Sequence, residues 1–315
     1  MDTSGYWKGV IMIDQLMEKI EETRNPTLIG LDTTLALIPK ELVEEYQGMG
    51  ENPLEGTLEA ILAFNKEIIR HIKEVVPAVK IQIAMYEQYG WQGIRVYQKT
   101  VEYAKEKGLL VIGDIKRGDI LSTAEAYAAH IGRAPVNGGV VDSWGEDWVT
   151  VNPYFGTDGM LPFLQNCQKY KKGIFVLVKT SNPSGEEIQD LSCGDHKLYE
   201  IVGSLVEQWG ENLKGRNGYS SVGAVVGATQ PEQGARLRQQ MPHTFFLVPG
   251  YGIQGGNGAW LKNYFDEEGR GAIIHSARAI LSAHLDRRKY RWNQYGEAAL
   301  AAAIKMKEEV VGCIR

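Results

Sequence analysis

Eight short, strongly apolar runs recur along the 315 residues, and this recurrence restricts the possible folds more than any other feature. They are TLIGLD (27–32), AVKIQI (78–83), LLVIGDIK (109–116), WVTVN (148–152), IFVLVK (174–179), VGAVVGA (222–228), TFFLVP (244–249) and GAIIHS (271–276). Each has the length of a strand, and most are apolar at successive positions, as parallel strands covered on both faces must be. Helical patterns fill most of the gaps. In TLEAILAFNKEIIRHIKEVV, for example, Leu58, Ile61, Leu62, Ile68, Ile69, Ile72 and Val76 fall on one face. Similar stretches cover 92–107, 199–213 and 294–312. Strands alternating with helices predict βαβ units and a parallel sheet. Eight such units predict an α/β protein of the (β/α)8 TIM-barrel class, with an open doubly wound sheet as the structural rival. A barrel of this kind accommodates about 250 residues or more, so residues 1–315 are expected to form a single domain. Segments 36–56 and 130–147, rich in Pro and Gly, are expected to be inserted loops over an active site.

Charge is concentrated at the ends of the first three strands. Side chains two apart on a strand share a face, so Leu110, Ile112, Asp114 and Lys116 point one way while Val111 and Ile115 point the other. Asp114 and Lys116 fall at the C-terminal end of their strand, where barrel active sites are built. Asp32 ends the first strand, Lys80 lies within the second, and Asp119 follows in the turn after the third. An unpaired charge in a barrel mouth costs several kcal/mol. Alternating lysines and aspartates offset that cost and create a fixed field for a charged substrate.

After the seventh strand comes PGYGIQGGNG (249–258), and after the eighth SAR (276–278) opens a helical run. Barrels often bind phosphate between these two loops, with glycines letting backbone N–H groups approach the anion. Arg278 can add a bidentate contact. Gly250-x-Gly252-x-x-Gly255 also fits a dinucleotide fingerprint, but only one strand remains downstream to build the βαβ context that reading needs.

These segments together resemble orotidine 5′-phosphate decarboxylases, in the longer form found in many bacteria. The resemblance rests on LIGLDT (28–33), VKIQIAMYEQYG (79–90), VIGDIKRGDI (111–120), TVNPYFGTDG (150–159), VLVKTSNPSG (176–185), LVPGYGIQGG (247–256) and SARAI (276–280), in order along the chain. It implies a ribulose-phosphate-binding type of barrel that converts orotidine 5′-phosphate to uridine 5′-phosphate, in de novo pyrimidine biosynthesis, without a cofactor or metal. It further implies that Lys80, Asp114, Lys116 and Asp119 form a charged tetrad, with Lys116 delivering the proton to C6 and Asp114 set against the leaving carboxylate. Asp119 would enter the active site of a second subunit, making a homodimer with shared sites. Asp32 and Lys80 would meet the ribose, Thr180 and Ser181 the pyrimidine, and Pro249, Gln254 and Arg278 the phosphate. Arg278 follows an alanine where the short form has a glycine, and 36–56 and 130–147 have no clear short-form counterpart.

Two rivals remain at this level: a metal-dependent sugar-phosphate lyase or synthase of the same barrel group, and a non-catalytic nucleotide-binding barrel. The six histidines show no paired metal spacing and are expected to be structural or on the surface. The net charge of −5 argues against a nucleic-acid partner. No stretch approaches the roughly 18 apolar residues of a membrane span. Cys167, Cys193 and Cys313 form no CxxC pair, which points to a reducing cytoplasm.

Overall fold

The computed structural model describes residues 11–50, 52–252 and 258–314. Eight strands close into a parallel barrel: β1 (Thr27–Leu31), β2 (Ala78–Gln82), β3 (Leu110–Arg117), β4 (Trp148–Val151), β5 (Gly173–Lys179), β6 (Ser220–Val226), β7 (Thr244–Pro249) and β8 (Ala272–Ser276). Each strand pairs with its neighbours in sequence, and β8 closes on β1. The open-sheet alternative is thereby excluded. The sixth strand starts two residues earlier than the apolar run suggests. Ser220 and Ser221 are buried there, Ser220 being held through its amide by the His243 carbonyl.

Alternate residues of each strand divide between two cores. Leu28, Ala78, Leu110, Ile112, Trp148 and Phe175 point into the barrel, while Ile29, Val79, Val111, Val149, Ile174 and Val176 pack outward under the helices. The interior is a filled core, with the Trp148 and Phe175 rings stacked 4.5 Å apart. An N-terminal helix, Met12–Thr23, closes the bottom of the barrel. Its Met12, Ile13, Leu16 and Met17 join the inner cluster, each burial contributing about 1.5–3 kcal/mol.

The outer layer includes helices Pro53–Ile72, Gly90–Glu106, Gly156–Tyr170, Leu198–Gly210, Pro231–Gln240 and Tyr295–Ile314. Helix Pro53–Ile72 starts where Asn52 caps it, the Glu55 amide donating to Asn52 Oδ1 at 3.0 Å with Pro53 in the first turn.

Neither inserted segment is simply a loop. Residues 36–56 contain the helix Lys40–Met49, which packs on helix Pro53–Ile72, and of the described residues of this segment only Ala36 and Leu37 reach the central cavity. Residues 130–147 fold into a small hairpin, Ala134–Val136 with Gly139–Val141. They then bury Glu146 on the outer side of β3, where its carboxylate receives the Tyr97 hydroxyl and faces His130 Nδ1 at 2.7 Å. No residue of 130–147 lines the central cavity, which corrects the expectation of a loop over the site. Three-residue strands are too short to leave a periodic signal. Among the described residues, no helix is long and apolar enough to cross a membrane.

Candidate active site

The C-terminal ends of the strands surround a cavity of about 610 Å³, a volume suited to a nucleotide-sized ligand. The strand register determines which charges meet there. β1 and β2 set Gly30 level with Lys80, and β2 and β3 set Gln82 level with Asp114. Lys80, Gln82 and Asp114 therefore project inward at the top of the filled interior.

Asp114 is the centre of the cluster and is 3% exposed. Its Oδ1 accepts from Lys116 Nζ at 2.5 Å and from Thr150 Oγ1 at 2.7 Å. Its Oδ2 accepts from Lys80 Nζ at 2.6 Å and from Gln82 Nε2 at 2.7 Å. Burial alone would raise the carboxyl pKa, but Lys80 and Lys116 outweigh it and hold the group well below the usual carboxylate range. Lys80 is buried too. Desolvation works against its charge, but Asp114 and Asp32 overcome that and raise its pKa. Asp32 lies 3.8 Å from Lys80 and keeps Oδ1 buried without a hydrogen-bond partner among the described residues.

Lys116 differs from its neighbours. It is exposed, and its backbone has φ +47°, a left-handed conformation uncommon for a residue with a side chain. The β3–β4 register slips between Gly113 and Arg117, and the Lys116 amide donates to Thr150 Oγ1 at 3.0 Å. Thr150 thus holds both the unusual backbone and the carboxylate beside it.

Thr180 and Ser181 leave β5 and line the opposite wall. The Thr180 hydroxyl is engaged, donating to Asn182 Oδ1 and accepting from Gln189 Nε2, both at 2.7 Å. The buried Lys179 ammonium holds Asp190 at 2.7 Å and so pins the far end of this loop. Pro249, at the end of β7, and Arg278, opening the short helix Arg278–Leu281, border the cavity with Gly250 and Tyr251. Gly250 and Gly252 have φ of +98° and +91°, which glycine adopts at little cost. Gln254 lies outside the described residues.

Eight sequence-identified residues therefore share one cavity: Asp32, Lys80, Asp114, Lys116, Thr180, Ser181, Pro249 and Arg278. Asp119 does not line it. Its carboxylate accepts from the Ile120 amide at 2.7 Å, in the loop after β3. Thr150 and His275 also line the cavity and escaped the sequence reading. Thr150 sits two residues after the inward Trp148, so strand parity could have found it. His275 is buried in the wall of this cavity, with Lys80, Asp114 and Lys116 as the charges around it.

Comparison with known proteins bears on what this arrangement does. The model of the orotidine 5′-phosphate decarboxylase / HUMPS family matches residues 57–291. The chain is 39% identical over 302 residues to the orotidine 5′-phosphate decarboxylase of Caldicellulosiruptor saccharolyticus, covering 96% of this chain and 98% of that one. It is 40% identical over 302 residues to the enzyme of the same name from Petrotoga mobilis, covering 95% and 98%. The solved structure of Leishmania donovani OMP decarboxylase matches with a TM-score of 0.72 and 28% identity, over 96% of this chain and 99% of that one.

Proposed function

The chain belongs to the orotidine 5′-phosphate decarboxylase / HUMPS family, and from that premise we propose how its residues share the decarboxylation of orotidine 5′-phosphate to uridine 5′-phosphate. The observation that carries the proposal is Asp114, a buried carboxylate between two lysines at the mouth of the barrel. A substrate carboxylate brought beside Asp114 meets a fixed negative charge that the protein has already stabilised. Release of carbon dioxide removes that repulsion. The C6–carboxylate bond breaks, its electron pair stays on C6, and Lys116 stabilises the developing charge before transferring an Nζ proton to C6. Solvent returns a proton to Lys116, for which its exposure is suited. Much of the acceleration comes from a preorganised field, the usual source of large electrostatic catalysis.

The rest of the cavity serves binding. Asp32 and Lys80 take the ribose, Ser181 with Thr180 the pyrimidine, and Pro249, Gln254 and Arg278 the phosphate. Holding the phosphate far from the reacting carbon supplies binding energy that places the carboxylate against Asp114. Asp119 acts in the cavity of a second subunit, so the working unit is a homodimer of single-domain barrels in the cytoplasm. Two features support this: Asp119 is absent from its own cavity wall, and Ile120, Leu121 and Tyr154 near it are exposed apolar side chains.

Loss of orotidine 5′-phosphate absorbance, followed in chelator-containing buffer, tests the reaction. Wild type is expected to yield uridine 5′-phosphate, and Lys116→Ala to be inactive with an unchanged circular dichroism spectrum. Turnover by Lys116→Ala would refute its role, and a magnesium requirement would favour a metal-dependent sugar-phosphate chemistry instead.

A further inference from the structure

His275 is the inward residue near the end of β8, level with Pro249 on β7 and Leu28 on β1. Its imidazole occupies space that Gly30 leaves open on β1. A Cβ at Gly30 would stand 2.3 Å from His275 Nε2 and 3.1 Å from Cε1, so only glycine admits the ring there. The side chain lines the same cavity as Asp32, Lys80 and Asp114, yet is only 6% exposed, and its Nε2 is buried without a hydrogen-bond partner among the described residues. Buried polar atoms in native structures are seldom left unpaired, and exceptions call for a reason such as a ligand.

Asp32 Oδ1, just past the end of β1, the strand adjacent to β8, is a second buried atom of the same cavity wall that has no hydrogen-bond partner among the described residues, although Lys80 Nζ lies 3.8 Å away. The two atoms have compatible chemistry. The carboxylate only accepts, whereas a neutral imidazole nitrogen donates or accepts according to its tautomer. Burial, reinforced by Lys80, holds His275 well below the usual histidine range, so the ring is neutral at physiological pH. A neutral ring beside two ammonium groups adds little to anion recognition that lysines already provide. Its complement is an uncharged group able both to give and to take a hydrogen bond, which describes a hydroxyl.

We propose that His275 is a specificity-determining contact of the nucleotide site, its Nε2 hydrogen-bonding a sugar hydroxyl that it shares with Asp32 and Lys80. The assignment rests on the reading of this cavity as a nucleotide site. It makes the wall of β8 part of the sugar subsite and gives Gly30 a function, as the position that lets the ring in.

The experiment compares wild type, His275→Leu and His275→Asn with orotidine 5′-phosphate and with its 2′-deoxy and 3′-deoxy forms, measuring kcat and KM separately. His275→Leu is expected to raise KM for the parent substrate at least tenfold. For one of the two deoxy substrates, already lacking the partner hydroxyl, the increase should be less than twofold. His275→Asn, which keeps a donor and an acceptor, should recover much of the loss. Equal losses on all three substrates, or no loss on the parent, would overturn the assignment. If His275→Leu does not fold, His275→Ala, which also removes the ring nitrogens, takes its place in the same comparison, with the same outcomes expected. Wild-type turnover of the parent substrate checks the reaction by itself. Were it absent, His275 would be judged by calorimetric affinities of uridine 5′-phosphate and its deoxy forms for the same variants.

Discussion

Asp114 accepts from four side chains, two of them ammonium groups, and Thr150 is the neutral donor that also fixes the Lys116 amide. Replacing Thr150 with valine keeps the shape and removes both bonds. Losing a hydrogen bond to a charged group is worth about 1.5–3 kcal/mol. Thr150→Val is therefore expected to lower kcat by about ten- to a hundredfold with KM changed far less; an unaltered kcat would show that Lys116 holds its left-handed backbone without help. His275 gives a prediction about pH. Its pKa is lowered on folding, so the unfolded chain binds the extra proton below the unfolded value of about 6.5. Its contribution to stability is complete above that pH and falls as the pH drops below it. Urea denaturation at pH 7, 6 and 5 should show this loss in wild type and a shallower one in His275→Leu. Asp114 does not confuse the measurement. Its lowered pKa means its own contribution is retained above about pH 3.8 and lost only in stronger acid.

The loop after β7 and the short helix after β8 are elements whose value lies in where they converge. Arg278 at the start of that helix faces the cavity from the β8 side, and Gly250 and Tyr251 from the β7 side. Arg278→Ala is expected to reduce kcat/KM for orotidine 5′-phosphate by about ten- to a hundredfold, the worth of a charge-assisted hydrogen bond. Orotidine, which lacks the phosphate, should be processed equally poorly by wild type and variant; a parallel loss on orotidine would place Arg278 outside the phosphate site. These elements were legible because parallel strands covered on both faces must be apolar throughout. Asp114 and Lys116 stood out as charges interrupting such a run. Thr150 did not, since threonine is an ordinary strand residue, and its partners lie on β3, 34 and 36 positions away in sequence. His275 was hidden for a related reason. Its significance depends on the absence of a side chain at Gly30, a relation between two strands that meet only when the barrel closes. The helix Met12–Thr23 covers the bottom of the barrel, a placement that periodicity does not announce, because it reveals an apolar face without revealing what covers it.

At the scale of the whole molecule, Asp119 stands apart from the cavity that Lys80, Asp114 and Lys116 line. Asp119 projects from the loop after β3, its backbone oxygen lying against Gly159 and next to Phe155, with Ile120 61% and Tyr154 86% exposed nearby. An isologous pairing through this face would carry each Asp119 across a two-fold axis into the opposite cavity. The arrangement makes a quantitative prediction. Lys116→Ala and Asp119→Ala chains, each inactive as a homodimer, are unfolded together and refolded as an equal mixture. In a mixed dimer, one cavity carries both lesions and the other carries neither. Random pairing makes half the dimers mixed, so about a quarter of all cavities regain the full set. Activity should return to about that fraction of wild type. An active site built entirely within one chain gives no rescue, because each mixed dimer would then contain one defect in each cavity. Equilibrium sedimentation of the mixture, run alongside, separates a failure to dimerise from a failure to complement. Monomers would refute the shared site as surely as inactive mixed dimers.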